Sequence, residues 1–453
     1  MVTGVANALL DQAPLIALTG ALSTSAPRGT THQKLALNSL YASVSKASFE
    51  LGHGDIGLVR DALQLTTEYR PGPVHIAIPS DVAAAGLKRN GGGPGLTGPA
   101  AKRRSNARSQ SLSEIDRAKK LIASARRPAI VAGLGAVHAA LATPIRQLAS
   151  ALGAVVVTTP KGKGLMAEDH PQFGGVLEMA GDDMVVEFLK RADLIITVGL
   201  DAVELDKPWR LTAPLIDVHA APDEQRYFSA TVDLIGPTIT FLQALQPTTR
   251  PGWPPGEVSD HRNALLNFLC PQRSRLQPWQ PVVALRQMLP QAAIATTDVG
   301  AHKLLVGQLW QTHEPRSFFM SNGLSAMGYG LPVAASARLV HPDRPVVAFV
   351  GDGGLTMYLG ELETLRRLGL DLTIVVFVDG SLELIRRSQR RQRVEEVGTA
   401  FDKPDYLAIA RAFGLRGYQV ETEREMRRAA ARAAAEPGIH LIAANIDGAD
   451  YRL

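Results

Sequence analysis

Short runs of valine, isoleucine and leucine recur along this chain, and most are followed by a longer stretch whose apolar residues return every three or four positions. That alternation constrains the fold more than any other feature. A strand covered on both faces reads as an unbroken apolar run, and its parallel neighbour is reached only through a crossover long enough to hold a helix. The pattern therefore predicts α/β units built around parallel sheets. Strands are expected at Pro14–Thr19, Val74–Ile78, Ala129–Ala132, Ala154–Thr158, Leu194–Val198, Val346–Val350 and Leu372–Val378, and helices at Ile115–Ala125, Ala139–Leu152, Tyr406–Phe413 and Arg424–Ala435. Two stretches rich in glycine, proline and polar residues, Leu87–Ser113 and Pro247–Asp260, break the rhythm. The fold class read from this is α/β, with three doubly wound parallel-sheet domains at 1–86, 113–246 and 276–453, joined by linkers at 87–112 and 247–275.

The first of these domains is expected to be incomplete at its N-terminus. Met1–Leu10 already carries helical spacing in Val2, Val5 and Leu9, yet no Ser, Thr, Asp or Asn precedes it to cap the first turn. Only two strong strand candidates follow before the linker, where a sheet usually has roughly five or six. With 453 residues at 45% hydrophobic content, the whole chain can bury two or three cores. No run approaches the roughly 18 apolar residues that span a bilayer, and the start lacks the basic flank of a secretory signal. Cys270 is the single cysteine, so no intrachain disulfide can form, which suits a reducing, cytoplasmic setting. The net charge of +5 sits largely in two local runs, Lys102–Arg108 and Arg386–Arg393, the second flanked by Glu383, Glu395 and Glu396. Neither is interleaved with stacking aromatics, which argues against nucleic acid as a partner.

The chemistry concentrates in one passage. The strand Val346–Val350 runs into Gly351-Asp352-Gly353-Gly354, then a helical stretch, then the strand Leu372–Val378 ending in Asp379-Gly380-Ser381. In a parallel sheet this order brings two strand ends to the same edge, where ligands bind. Glycines let backbone N–H groups approach a diphosphate, and the helix start that follows favours negative charge. Asp352 and Asp379 are then placed to hold a hard divalent cation such as Mg²⁺, with a backbone carbonyl near Ser381 as a third ligand.

The segment from Gly351 to Ile385 resembles the thiamine diphosphate motif, a GDG followed after a spacer by Asn or Asp. Further segments, among them VTGVANALLDQAPLIALTG, THQKLALNSLYASVSK, GPVHIAIPSDV, TTPKGKG, DVGAHK, SNGLSAMGYGLP and NIDGADYRL, extend the resemblance along nearly the whole chain, in the order found in acetolactate synthase-like enzymes. It implies that Asp352, Asp379 and Ser381 hold Mg²⁺ and that Gly351, Gly353 and Gly354 lie against the diphosphate. It further implies that Val299, Gly300, Ala301 and His302 wrap that diphosphate, with His302 offering it a charge-assisted hydrogen bond. Ser325 and Met327 would contact the cofactor, Met327 propping thiamine in its bent form. The activity implied is decarboxylation of a pyruvate-like 2-oxo acid with carboligation to a second carbonyl compound, in a homodimer or homotetramer.

Two departures stand out. The family more often has Asn-Asn where this chain has Val378-Asp379, which adds a negative charge. The glutamate that activates the aminopyrimidine ring lies, in the family, ahead of the helix matching Val2–Leu10, so no residue here takes that role and impaired catalysis is expected. Gln33 matches a segment facing the active site, whereas Lys46, Lys163-Gly164 and His75 have packing readings at least as strong. The central domain matches one that holds FAD in some relatives and nothing in others; Gly133-Leu134-Gly135 follows a strand, but a lone GxG is weak support for FAD. A 2-oxo acid decarboxylase of benzoylformate or indolepyruvate type, and an inactive truncated scaffold or fragment, are the alternatives.

Overall fold

The computed structural model describes residues 1–27, 29–85, 112–222, 226, 228–246 and 252–453. By its internal contacts the chain divides into two compact units, Met1–Ala107 with Asn322–Ser325, and Arg108–Ser321 with Ala326–Leu453. The linker read at 87–112 falls almost wholly outside the described residues.

The first unit holds β1 (Leu15–Ala21), β2 (Ala47–Glu50) and β3 (Pro73–Pro79), all parallel, in the order β1-β3-β2. β3 is the middle strand and the most thoroughly buried, as its unbroken apolar run requires. Its one polar residue, His75, is fully buried and satisfied: the ring nitrogens meet the Thr19 hydroxyl (2.8 Å) and the Ser48 hydroxyl (2.7 Å), and the ring stacks on Tyr41. Lys46 donates to the Leu65 and Glu68 carbonyls (2.6 and 2.9 Å), which serves the end of the helix Ile56–Thr67. Gln33 is exposed, with φ 57.

The second unit contains two six-stranded parallel sheets. The central one comprises β4 (Pro128–Ala132), β5 (Val155–Thr158), β6 (Phe173–Val176), β7 (Leu194–Val198), β8 (Leu215–His219) and β9 (Val232–Ile235), in the order β6-β5-β4-β7-β8-β9. The last comprises β10 (Ile294–Thr297), β11 (Phe318–Met320), β12 (Val346–Gly351), β13 (Leu372–Val378), β14 (Arg416–Val420) and β15 (Ile439–Asn445), in the order β11-β10-β12-β13-β15-β14. Helices cover both sheets, giving the doubly wound arrangement the alternation predicts. All seven residues of β13 are buried, between β12 and β15, whereas the edge strand β14 is mostly uncovered. Helix ends follow local chemistry. The helix Glu423–Ala435 opens on a capping box of Thr422 and Glu425, and Ala142–Leu152 stops at Gly153, whose φ of 61 is left-handed.

The stretch 247–275, read as a linker, carries a helix at Glu257–Leu269 whose His261, Leu265 and Leu269 are buried. One hydrophobic cluster, with members from Ala118 to Tyr451, embraces residues of both six-stranded sheets, and a second one, including Ala348, Ile374 and Leu441, belongs to the last sheet alone. Lys163 and Glu168 lie inside this unit as a fully buried ion pair (2.8 Å), with Lys163 also donating to the Gly307 carbonyl and the Thr312 hydroxyl donating to Glu168. Lys163 is thus a packing residue, and Gly164 beside it stands at φ 84 against the Glu314 carbonyl, where no side chain fits. Among the described residues, no helix is long and apolar enough to cross a membrane.

Candidate functional site

In the last sheet the strand order reverses between β10 and β12, and in open α/β sheets the crevice beyond the carboxyl ends at such a point is where ligands bind. Three turns emerge there. β10 runs into Asp298-Val299-Gly300 and the helix Ala301–Leu309, β12 into the helix Asp352–Met357, and β13 into Asp379-Gly380-Ser381. The parallel register pairs Gly351 with Phe377, so Asp352 and Asp379 leave neighbouring strands almost side by side.

Asp352 is buried and ties two of these turns together, its carboxylate accepting from Gly353 N (2.8 Å) and Gly380 N (2.7 Å). The Asp379 carboxylate accepts from both the backbone N–H and the hydroxyl of Ser381 (2.8 and 3.0 Å). Burial pushes the Asp352 carboxyl above its ordinary range. Burial likewise pushes Asp379 up to about 7, and the Asp352 charge adds to that shift. Two neighbouring carboxyls, both raised by burial and one of them also by the other's charge, are the surroundings that a hard divalent cation relieves, because it neutralises both at once and accepts their oxygens as ligands.

Around this pair the glycines lie close against neighbouring side chains. A Cβ on Gly353 would come within 3.2 Å of the Phe401 ring, and one on Gly354 within 2.5 Å of an Asp298 carboxylate oxygen. His302 lies at the start of its helix, fully buried and stacked on Phe377, with its Cε1 3.1 Å from where a Cβ on Gly351 would sit. Burial drives the His302 imidazole down to about 3, so the ring is neutral, and its Nε2 has no hydrogen-bond partner. Any hydrogen bond this ring gives to phosphate is that of a neutral imidazole. Val299 donates its N–H to Asp298 (2.8 Å), and Ala301 is buried at the helix start. Met327 stands half-buried, its methyl 4.0 Å from the Cβ position of Gly354 and its carbonyl accepting from the Tyr358 hydroxyl (3.4 Å). Ser325 belongs to the first unit, where its hydroxyl donates to the Asn322 carbonyl (3.0 Å).

Sequence reasoning passed over several residues that build this site. Asp298 is buried and accepts from Val299 N, Gly328 N and Tyr329 N, which fixes the Met327 loop against the first turn. The available signal was a carboxylate one residue beyond a buried strand. Glu383 is buried beside Ser381 (3.4 Å) and pairs with Arg387 (2.8 Å), which in turn donates to the Gly448 and Tyr451 carbonyls. Tyr406 donates to the Asp352 carbonyl (3.3 Å), and Lys403 packs over Gly380 and donates to the Val378 carbonyl (3.4 Å).

Residues 298–444, which contain all three turns, match the family described as thiamine pyrophosphate enzyme, C-terminal TPP binding domain. Residues 115–245 match thiamine pyrophosphate enzyme, central domain. The chain belongs to the thiamine pyrophosphate enzymes. Within that family it is similar to a probable acetolactate synthase large subunit of Methanococcus aeolicus, at 28% identity over 95% of this chain and 76% of the relative. It is also similar to the large subunits of acetolactate synthase isozymes 1 and 2 of Escherichia coli (strain K12), each 28% identical over 99% of this chain and covering 80% and 82% of the relative. A thiamine pyrophosphate enzyme must hold a charged diphosphate, and this chain fits that need by its own geometry. It has a buried imidazole nitrogen without a partner, a tightly packed glycine turn, and two carboxylates on adjacent strand ends.

Proposed function

We propose that this chain anchors the diphosphate of thiamine diphosphate through Mg²⁺ and serves decarboxylation of a pyruvate-like 2-oxo acid with carboligation to a second carbonyl compound, as an acetolactate synthase-like protein. The observation that carries the reading is the convergence of Asp352 and Asp379 from adjacent strand ends beside the Gly353-Gly354 turn. In this reading Asp352, Asp379 and the backbone at Ser381 hold the cation, while Gly351, Gly353, Gly354 and the Val299–His302 turn receive the diphosphate. Ser325 and Met327 are assigned to the cofactor's organic part.

When bound, the thiazolium ring supplies the electron sink for breaking the carboxyl bond. The contribution of the chain is electrostatic and positional. Asp352 and Asp379 fix the cation, and Asp298 fixes the Met327 loop. The ring-activating acid is assigned to none of this chain's residues. The reading also places the chain in a cytoplasmic homodimer or homotetramer and divides it into domains at 1–86, 113–246 and 276–453.

Calorimetry of thiamine diphosphate binding with and without Mg²⁺, followed by pyruvate turnover on the same protein, tests this. Mg²⁺-dependent binding with acetolactate as product supports the cofactor and carboligation reading and overturns the absence of a ring-activating acid. Aldehyde as the sole product would favour a simple decarboxylase. Binding without turnover of any 2-oxo acid would favour a cofactor-holding chain that is not itself a catalyst, and no binding would reject the site.

A further inference from the structure

The central sheet, counted from its own first strand β4, has the order 3-2-1-4-5-6, the arrangement that receives dinucleotides where the order reverses. That place lies between β4 and β7. A dinucleotide there needs a glycine turn with free backbone amides and space for its diphosphate between the two strand ends. Both are already taken. The Gly133 N–H donates to the Val198 carbonyl (3.0 Å) and the Gly135 N–H to the Gly199 carbonyl (2.8 Å), so the two turns are joined backbone to backbone. A Cβ on Gly199 would overlap Ala136 N, and one on Gly133 would lie 2.5 Å from a Glu204 carboxyl oxygen.

Glu204 completes the closure. Its two carboxyl oxygens accept from Leu134 N (3.0 and 2.9 Å), the amide between the two glycines, and one of them also accepts from Asp201 N (3.1 Å). The Thr159 hydroxyl donates to the same carboxyl. One side chain thereby bridges the turns after β4, β5 and β7, and it is 1% exposed. The surrounding sequence agrees. Where the dinucleotide fingerprint has its third glycine this chain has the bulky His138, and β5 ends at Thr158 with Thr159 next, where an acid would meet the ribose.

We propose that Glu204 seals the dinucleotide crevice of the central domain from within, so that this protein holds neither FAD nor a nicotinamide dinucleotide there. Glu204 is a positioning residue, occupying the amide that a diphosphate would use and locking three turns together. The inference stands on the central domain alone and is independent of whether thiamine diphosphate binds.

The test uses the full chain. After expression with excess riboflavin, the protein is denatured and the supernatant examined for released flavin, and the native protein is titrated with FAD, NADH and ADP by fluorescence and calorimetry. The expected result is no flavin released and no saturable signal with any of the three. Stoichiometric flavin, or saturable FAD binding that ADP competes away, overturns the proposal. Hydrogen exchange gives a second measurement without a variant: the Leu134 amide is expected to be protected in the nucleotide-free protein and unchanged by added FAD. Fast exchange without nucleotide, slowed by FAD, overturns it equally.

Discussion

Asp352 accepts two backbone N–H groups with one carboxylate, and the proposed function gives the same group to the cation, so a substitution there separates structure from binding. Asp352→Asn keeps the shape but turns an N–H donor towards one of the two amides and removes an anionic ligand. The expected result in calorimetry is a loss of Mg²⁺-dependent thiamine diphosphate affinity of roughly 100-fold or more, the upper range for perturbing a metal site. Thermal stability should fall by only about 1–2 kcal/mol. Glu204 supports a prediction with a definite sign. Burial lifts its carboxyl from the ordinary 4.5 to about 7, so the folded chain keeps this proton when the unfolded chain has lost it. Its stabilising contribution is therefore complete below about pH 4.5 and is lost as the pH rises through about 7. Relative to Glu204→Gln, which does not titrate, wild-type stability should decline across that window by about 3 kcal/mol at most, measured by urea unfolding at stepped pH. A difference that stays flat with pH would show that Glu204 does not titrate in that range. The two residues also differ in how readable they were. Asp352 announces itself by standing between glycines at a strand end. Glu204 sits among other acids, between Asp201 and Asp206, and its partner Leu134 lies 70 positions earlier, so only the packing of β4 beside β7 reveals it.

At the scale of elements, two glycines near the site should behave in opposite ways. Gly328 has φ 84, and a Cβ there would fall inside the Tyr358 ring, while its N–H donates to Asp298. Gly328→Ala combines a left-handed backbone with overpacking against a rigid ring, and roughly 2–4 kcal/mol of destabilisation is expected, together with weaker cofactor binding. Gly360 meets nothing within 4 Å and has an ordinary φ of −60, so Gly360→Ala should shift stability by no more than about 0.5–1 kcal/mol. Denaturation of both variants side by side checks the contrast. Equal losses would mean that the Gly328 turn can relax. Interior strands were legible where covering both faces left only apolar residues, as in β4, β7 and β13, but β8, β10 and β15, interior yet carrying Asp217, Thr296 and His440, were not. Several edge strands of mixed composition were not legible either: β2 reads Ala-Ser-Phe-Glu, β6 reads Phe-Gly-Gly-Val, and β14 begins at Arg416. Their pairing comes from tertiary neighbours and leaves little trace in local pattern. The helix Glu257–Leu269 was hidden for a related reason, since the prolines and glycines before it, at 252–256, masked its start.

At the scale of the larger unit, the hydrophobic cluster that joins the central sheet to one face of the last sheet, together with the buried Lys163–Glu168 pair, predicts that the two sheets melt together, although a second cluster covers the other face of the last sheet. Scanning calorimetry should show one transition for both, and hydrogen exchange should assign the same opening energy to the amides of β4 and β13. Two separable transitions would refute the shared core. Lys163→Met leaves Glu168 buried without its cation and should lower that transition by roughly 3–5 kcal/mol, whereas adding Glu168→Leu should recover part of the loss. Gln308, on the helix that follows β10, accepts from Val176 N (2.9 Å) and donates to the Val176 and Ala180 carbonyls (3.0 and 2.8 Å), completing the hydrogen bonding of a strand in the neighbouring sheet. This seam bears on recombination between relatives. A chimera that exchanges the stretch 113–246 alone would bring in a foreign partner for Gln308, Thr312 and Gly307, and its crossover points would cut through one core. Productive exchanges should therefore carry both sheets as a single inherited block.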